Sequence, residues 1–230
     1  MSVMDNIFDL TQGNGPRYER KFFISNSTPR EIKSLIKLHP ACFKEAFPQR
    51  RVNNIYLDSL SLENYLDNLS GANRRIKPRV RWYGDDFNES TNPFLEIKFK
   101  DNILGKKLRY PFEDFRIDRN LNKTLRSLIS RSVMPEIIKF YLLQLRASSL
   151  NNYFRQYYVS ADKKFRLTLD FDLCFYRPDA KLIERDRSNC ILELKYDCEC
   201  DSDARNVSAE FPFRMTKSSK YATGIEKLLI

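Results

Sequence analysis

Residues Pro93 to Lys100 read PFLEIKFK, and the fold turns on which way these side chains point. In an extended chain, residues two apart share a face. Leu95, Ile97 and Phe99 therefore fall on one side, with Glu96 and Lys98 on the other. The same division recurs outward along the chain. Arg17 to Ile24 sets Glu19 and Lys21 against Phe22 and Ile24, and Arg74 to Tyr83 sets Arg79 and Arg81 against Val80 and Trp82. Ile103 to Phe112 opposes Lys107 and Arg109 to Leu108 and Tyr110, with a tight turn expected at Lys100 to Ile103. Lys164 to Tyr176 opposes Arg166, Thr168, Asp170 and Asp172 to Phe165, Leu167, Leu169 and Phe171. Asn189 to Asp197 opposes Glu193 and Lys195 to Leu192 and Leu194. Asn152 to Ser160 holds Arg155 in register with Tyr153 and Tyr157, and Val52 to Ser59 is an eighth strand.

Helices are expected between these strands. Thr28-Pro29-Arg30-Glu31 is a capping box with proline at the first helical position, leading into Ile32, Leu35 and Ile36. Ser61 to Gly71, Asp118 to Arg131, Pro135 to Ser148 and Tyr221 to Leu229 follow, the first of them ended by its glycine. Residues 1–15 read as a tail and 16–230 as one domain. The class is α+β with a largely antiparallel sheet.

An alternating strand ordinarily turns its polar face to water, as in a two-layer sandwich. Here that face is mostly Arg, Lys and Glu, and a Glu-x-Lys pattern occurs at Glu19/Lys21, Glu96/Lys98 and Glu193/Lys195. The opposite faces are apolar enough to need helices over them. A closed barrel of about eight strands, charged inside and covered by helices outside, satisfies all three features. Its lumen would hold nine bases (Lys21, Arg79, Arg81, Lys98, Lys107, Arg109, Arg155, Arg166, Lys195) against Glu19, Glu96 and Glu193, an excess of six. Such an excess is costly without compensation, and a polyanion supplies it. Arginine forks suit phosphate oxygens, and the carboxylates could hold a hard divalent cation that bridges them.

Composition narrows the field. Over 230 residues, 40 Lys and Arg against 30 Asp and Glu give a net charge of +10. A chain this basic binds nucleic acid nonspecifically, but no basic helix, zinc finger or exposed aromatic platform marks that as its role; Trp82 and Tyr83 are expected in the core or at its rim. A single histidine, His39, sets aside histidine-based triads and multi-histidine metal sites. Six glycines speak against Gly-rich nucleotide folds. The five cysteines lack paired CxxC spacing and read as reduced thiols of a cytoplasmic protein, ahead of a zinc site at Cys190, Cys198 and Cys200. No secretory signal opens the chain, and Ile137 to Leu145 is too short and too polar to span a bilayer.

The segments RYERKFFI, RVRWYG, FLEIKFK with KKLRY, NYFRQYY, FRLTLDFDL, ILELKYD and FPFRMTKSSKYATGI run in order from Arg17 to Ile225. In that order they resemble the VTC (vacuolar transporter chaperone) domain, a branch of the triphosphate tunnel metalloenzymes. The resemblance implies an eight-stranded antiparallel tunnel that binds triphosphate or polyphosphate, and fungal members make inorganic polyphosphate from ATP. It places the phosphate-binding bases at Lys21, Arg79, Arg81, Lys98, Lys107, Arg155, Arg166, Lys217 and Lys220, with Ser219 donating a hydroxyl. It makes Glu193 the ligand of a divalent metal, Mn²⁺ or Mg²⁺, with Glu19 assisting it or pairing with a base. Arg109 and Lys195 join the phosphate-binding set from the alternation alone. The sensor domain and membrane helices of the fungal proteins are not expected here, although a membrane-protein partner stays compatible with the sequence. The expected activity is metal-dependent phosphoryl transfer from ATP to polyphosphate. The alternatives are a tripolyphosphatase or nucleoside triphosphatase, or a noncatalytic polyphosphate-binding module.

Overall fold

The computed structural model describes residues 17–101 and 104–229. The tail expected at 1–15 and the centre of the turn at 102–103 lie outside them. Nine strands alternate with six helices: β1 (Arg17–Ser25), α1 (Pro29–Leu38), β2 (Lys44–Asp58), α2 (Glu63–Ser70), β3 (Arg74–Tyr83), β4 (Phe94–Asp101), β5 (Leu104–Pro111), α3 (Leu121–Arg131), α4 (Glu136–Leu143), β6 (Arg146–Val159), β7 (Arg166–Tyr176), β8 (Leu182–Asp186), β9 (Asn189–Asp197), α5 (Asp201–Ala209) and α6 (Lys220–Leu229).

All strand pairings are antiparallel, in the order β6-β2-β3-β4-β5-β1-β9-β7-β8, and β6 pairs with β7 as well. Eight strands thus have neighbours on both sides, while β8 hangs from β7 as a ninth, beyond the eight expected. Closure turns on the seam between β5 and β1, where the pairing comes down to Arg17 opposite Gly105. Farther along β1, that edge meets the chain again. Phe22 bridges to Met215, Thr216 N–H donates to the Lys21 carbonyl at 2.8 Å, and Phe23 N–H donates to Thr216 Oγ1 at 2.9 Å. Since β9 occupies the other edge of β1 along its whole length, Met215 and Thr216 must lie on the seam side.

The apolar faces point outward under helices, as the alternation requires. Val80, Trp82, Leu95 and Ile97 pack with Leu125, Leu128, Ile138 and Leu142 of α3 and α4. Phe22, Ile24, Leu192 and Leu194 pack with Ile32 and Ile36 of α1 and Ala204 of α5. The capping box of α1 is present, with Glu31 N–H donating to Thr28 Oγ1 and Thr28 N–H donating to Glu31. Gly71 closes α2 at φ 75, in the left-handed region where glycine is unstrained.

Several boundaries differ from expectation. The helix expected to Ser148 stops at Leu143, because Arg146 to Leu150 pair with Asp58 to Ile55 of β2 and the consecutive serines are weak helix formers. β2 begins at Lys44, eight residues early; its first half carries register shifts around Phe47 and contains Pro48, which breaks the alternation. The short charged strand β8 and helix α5 carried no clear periodicity in the sequence.

Candidate functional site

The inward faces of β1 to β6 and β9, with residues 218–221, enclose a cavity of about 690 Å³. Eleven bases line it: Lys21, Lys77, Arg79, Arg81, Lys98, Lys100, Lys106, Lys107, Arg155, Lys195 and Lys220. Two carboxylates, Glu19 and Glu193, line it as well, with Ser219 and the rings of Tyr56, Tyr153 and Tyr221.

Each wall is preorganised by ion pairs. On β4, Glu96 accepts two hydrogen bonds from Arg79, at 3.0 and 2.8 Å, and one from Lys107 at 3.2 Å. Burial alone would raise the Glu96 carboxyl, but Arg79, Arg81 and Lys107 hold it well below the usual range. Arg81 donates to Asn54 Oδ1 at 2.8 Å and to the Tyr153 hydroxyl at 3.1 Å. Across the cavity, Asp170 accepts a bidentate pair from Arg155 at 2.5 and 2.7 Å, and a hydrogen bond from Lys220 Nζ at 2.5 Å. These clamps fix guanidinium planes that would otherwise lose rotamer freedom on binding an anion.

The third cluster bridges β1, β4 and β9. Lys21 lies opposite Glu193 and Glu19 opposite Lys195. Lys21 Nζ stands 3.1 Å from Glu19 and 3.6 Å from Glu193, Lys195 Nζ is 2.7 Å from Glu193, and Lys98 reaches both oxygens of Glu19 at 3.1 Å. Burial and Glu193 both push the Glu19 carboxyl up, yet Lys98, Lys21 and Lys195 bring it down to about 2. Burial likewise opposes ionisation of Glu193, and Lys195, Lys21 and Arg155 hold it well below the usual range. Both side chains are carboxylates at neutral pH.

The predicted residues separate into two groups. Lys21, Arg79, Arg81, Lys98, Lys107, Arg155, Lys195, Lys220, Ser219, Glu19 and Glu193 come together around this cavity. Arg109, Arg166 and Lys217 do not line it. Arg109 lies over the Phe94 ring at 3.4 Å and 3.8 Å from Glu96; Arg166 is exposed at the first position of β7, and Lys217 is exposed before α6. Arg166 stands at a strand end and Lys217 outside any regular element, while Arg109 inside β5 turns onto Phe94, and alternation alone cannot distinguish these from lining positions. Conversely, Lys77, Lys100 and Lys106 were missed, although Lys77 and Lys100 sit two residues from Arg79 and Lys98 on the same faces. Tyr221 arrives from a helix and gave no signal. Cys190 is buried while Cys198 and Cys200 are half-buried; no group of three His, Cys, Asp or Glu that could hold a metal forms among the described residues.

The whole described chain matches the VTC domain family model, over residues 16–229. The chain belongs to the VTC domain family. Solved structures agree on the fold of this VTC domain. A candidate adenylate cyclase of Bacillus halodurans superposes with a TM-score of 0.55 at 12% identity, covering 91% of this chain and 96% of that one. One from Vibrio parahaemolyticus gives 0.53 at 10%, covering 95% and 100%, and the PH1819 protein of Pyrococcus horikoshii OT3 gives 0.50 at 11%, covering 92% and 97%. No curated protein matches the chain. No helix among the described residues is long and apolar enough to cross a membrane.

A divalent cation is implied by this family, and the donor set fits one. Glu19 and Glu193 are neighbouring carboxylates facing the cavity, close enough that Glu193 raises the Glu19 carboxyl. Magnesium-like ions take one or two carboxylates and complete their shell with substrate phosphates and water. The ammonium of Lys21 now lies between the two carboxylates.

Proposed function

We propose that this VTC domain transfers a phosphoryl group from a nucleoside triphosphate, ATP, to inorganic polyphosphate within a tunnel formed by its eight paired strands. The carrying observation is the eleven-base lining around two ionised carboxylates. That arrangement suits a chain of phosphates, which brings several negative charges and oxygens on every unit. The reading takes the tunnel as closed at the β5–β1 seam by the Arg17–Gly105 pair and by Met215 and Thr216.

Phosphoryl transfer needs alignment and charge neutralisation more than covalent chemistry from the protein. Arg79 and Arg81 on one wall and Arg155 on the other present guanidinium groups held by Glu96, Asn54 and Asp170. They clamp nonbridging oxygens of the triphosphate while Lys98, Lys107 and Lys195 neutralise the negative charge that shifts toward the leaving phosphates. Lys220 and Ser219 contact the chain from the side of α6. Glu193 and Glu19 would hold the divalent ion, which supplies Lewis-acid neutralisation of phosphate oxygens. The acceptor phosphate is already ionised, so no general base is required of a chain whose one histidine, His39, is buried and bonded to the Val207 carbonyl and Ala41 N–H. The exposed bases Arg109, Arg166 and Lys217, outside the cavity lining, would guide the incoming polyanion.

Incubation with ATP and Mn²⁺, resolved on a polyphosphate gel, tests the reading. A ladder of long chains is expected. Orthophosphate alone would replace polymerisation with hydrolysis, and unconsumed ATP would reject both.

A further inference from the structure

Ion pairing sets Lys77 apart. Lys21, Arg79, Arg81, Lys98, Lys107, Arg155, Lys195 and Lys220 each have a carboxylate within 4 Å. Among the described residues, Lys77, Lys100 and Lys106 make no such pair. Of these three, Lys77 is tied to the far side of the cavity, its Nζ donating to Ser219 Oγ at 3.1 Å. Ser219 is held in place in turn, because its hydroxyl also accepts from Ala222 N–H at 3.4 Å. Lys98 stands directly opposite Lys77 in the β3–β4 register, and the Lys21 ammonium reaches the Ser218 carbonyl at 3.5 Å. A half-buried ammonium with one neutral partner and like charges around it is poised to take an anion.

We propose that Lys77 is a phosphate-binding residue of this cavity, which gives up its bond to Ser219 for a phosphate oxygen and takes up a proton from solvent in doing so. The inference rests on the polyanion reading above and extends it to a residue outside the segments that carry the family resemblance. The charged groups facing Lys77 are Arg75 and Arg79 on its own strand, Lys98 and Lys100 on β4, and Lys21 and Glu19 on β1. Lys217 and Lys220 flank Ser219. Glu19 favours the ammonium, but it is committed to Lys98 and Lys21 at 3.1 Å. Burial first, then Lys21, Lys98 and Arg75, bring Lys77 down to about 7, so near neutrality the group is a mixture of amine and ammonium. A phosphate oxygen at the nitrogen stabilises the ammonium, and the proton comes from the buffer. Below that value the group is already charged and binding takes up no proton there. Above it, affinity for a polyanion falls by about tenfold per pH unit until the bound-state value is reached.

The test is calorimetric titration of tripolyphosphate without metal from pH 6 to 8.5, in two buffers of different ionisation enthalpy, with wild type, Lys77→Met and Lys77→Arg. Comparison among variants cancels the titration of tripolyphosphate itself. Wild type is expected to take up more protons than either variant above pH 7. Lys77→Met should lose about 10- to 100-fold in affinity at pH 6.5, and Lys77→Arg should bind with a flatter pH profile than wild type. Wild-type affinity and pH slope in Lys77→Met would overturn the proposal while leaving the tunnel reading intact. If that variant does not fold, the wild-type slope and proton uptake in Lys77→Arg would overturn it equally. Absence of tripolyphosphate binding by the wild type would remove the reading and this inference together.

Discussion

At the scale of single residues, the cavity is a balance between bases that invite an anion and acids that hold the bases still. Glu96 carries much of that balance, with Arg79, Arg81, Lys107 and Arg109 all within 4 Å. Glu96→Gln should therefore destabilise the free protein by about 3–5 kcal/mol in guanidinium unfolding, and saturating tripolyphosphate should recover part of the loss. The pH dependence has a definite sign. The folded carboxyl lies below its unfolded value, so its contribution is complete above pH ~4.3 and is lost as pH falls toward the folded value. Unfolding followed down from neutral pH should show a shallower acid decline in Glu96→Gln than in wild type. Glu193 has a separate role. Glu193→Gln keeps side-chain shape and leaves the arginines in place, so metal-free tripolyphosphate binding should persist while turnover under limiting Mn²⁺ falls about 10²–10³-fold. Wild-type turnover in that variant would remove Glu193 as the metal ligand. Most of these residues were legible because period-two alternation is a local property that burial enforces. Lys77 was equally legible in that sense, two residues from Arg79, whereas its lack of a carboxylate partner depends on four separate strands and could not be.

At the scale of elements, the seam between β5 and β1 is the part no local pattern announces. Its filling, Met215 and Thr216, lies outside any regular element yet positions the segment that carries Ser219 and Lys220 into the cavity. Thr216→Pro removes the N–H that donates to the Lys21 carbonyl at 2.8 Å. The protein should still fold, by circular dichroism, with affinity for tripolyphosphate reduced about tenfold as Ser219 and Lys220 lose their anchor. Unchanged affinity would show that the segment is held by α6 alone. Where local chemistry was decisive, as in the Thr28 capping box and the Gly71 helix end, the element was readable to within a residue or two. Where pairing decided, it was not. Arg146 to Leu150 continues a helical run in sequence but is drawn into β6 by β2, and the early part of β2 hides behind Pro48.

For the whole molecule, the strand alternation that puts bases inside also puts Val80, Trp82, Leu95, Leu192 and Leu194 outside, beneath helices. One pattern therefore builds both the core and the site, and charge concentrated in a half-enclosed lumen is screened less than the same charge on a surface. Tripolyphosphate affinity should fall with salt, but less steeply than that of a nonspecific polyanion bound to the exterior. The number of strands, the extra β8 hairpin and the seam belong to this scale, because they depend on which strands meet rather than on what each contains. The central claim is that this lumen is shaped for a chain of phosphates. Calorimetric titration of metal-free wild-type protein with tripolyphosphate and, separately, with sulfate tests it most directly. The account predicts one tripolyphosphate per chain, bound about 100-fold or more tighter than sulfate; equal, weak affinity for the two anions would contradict it.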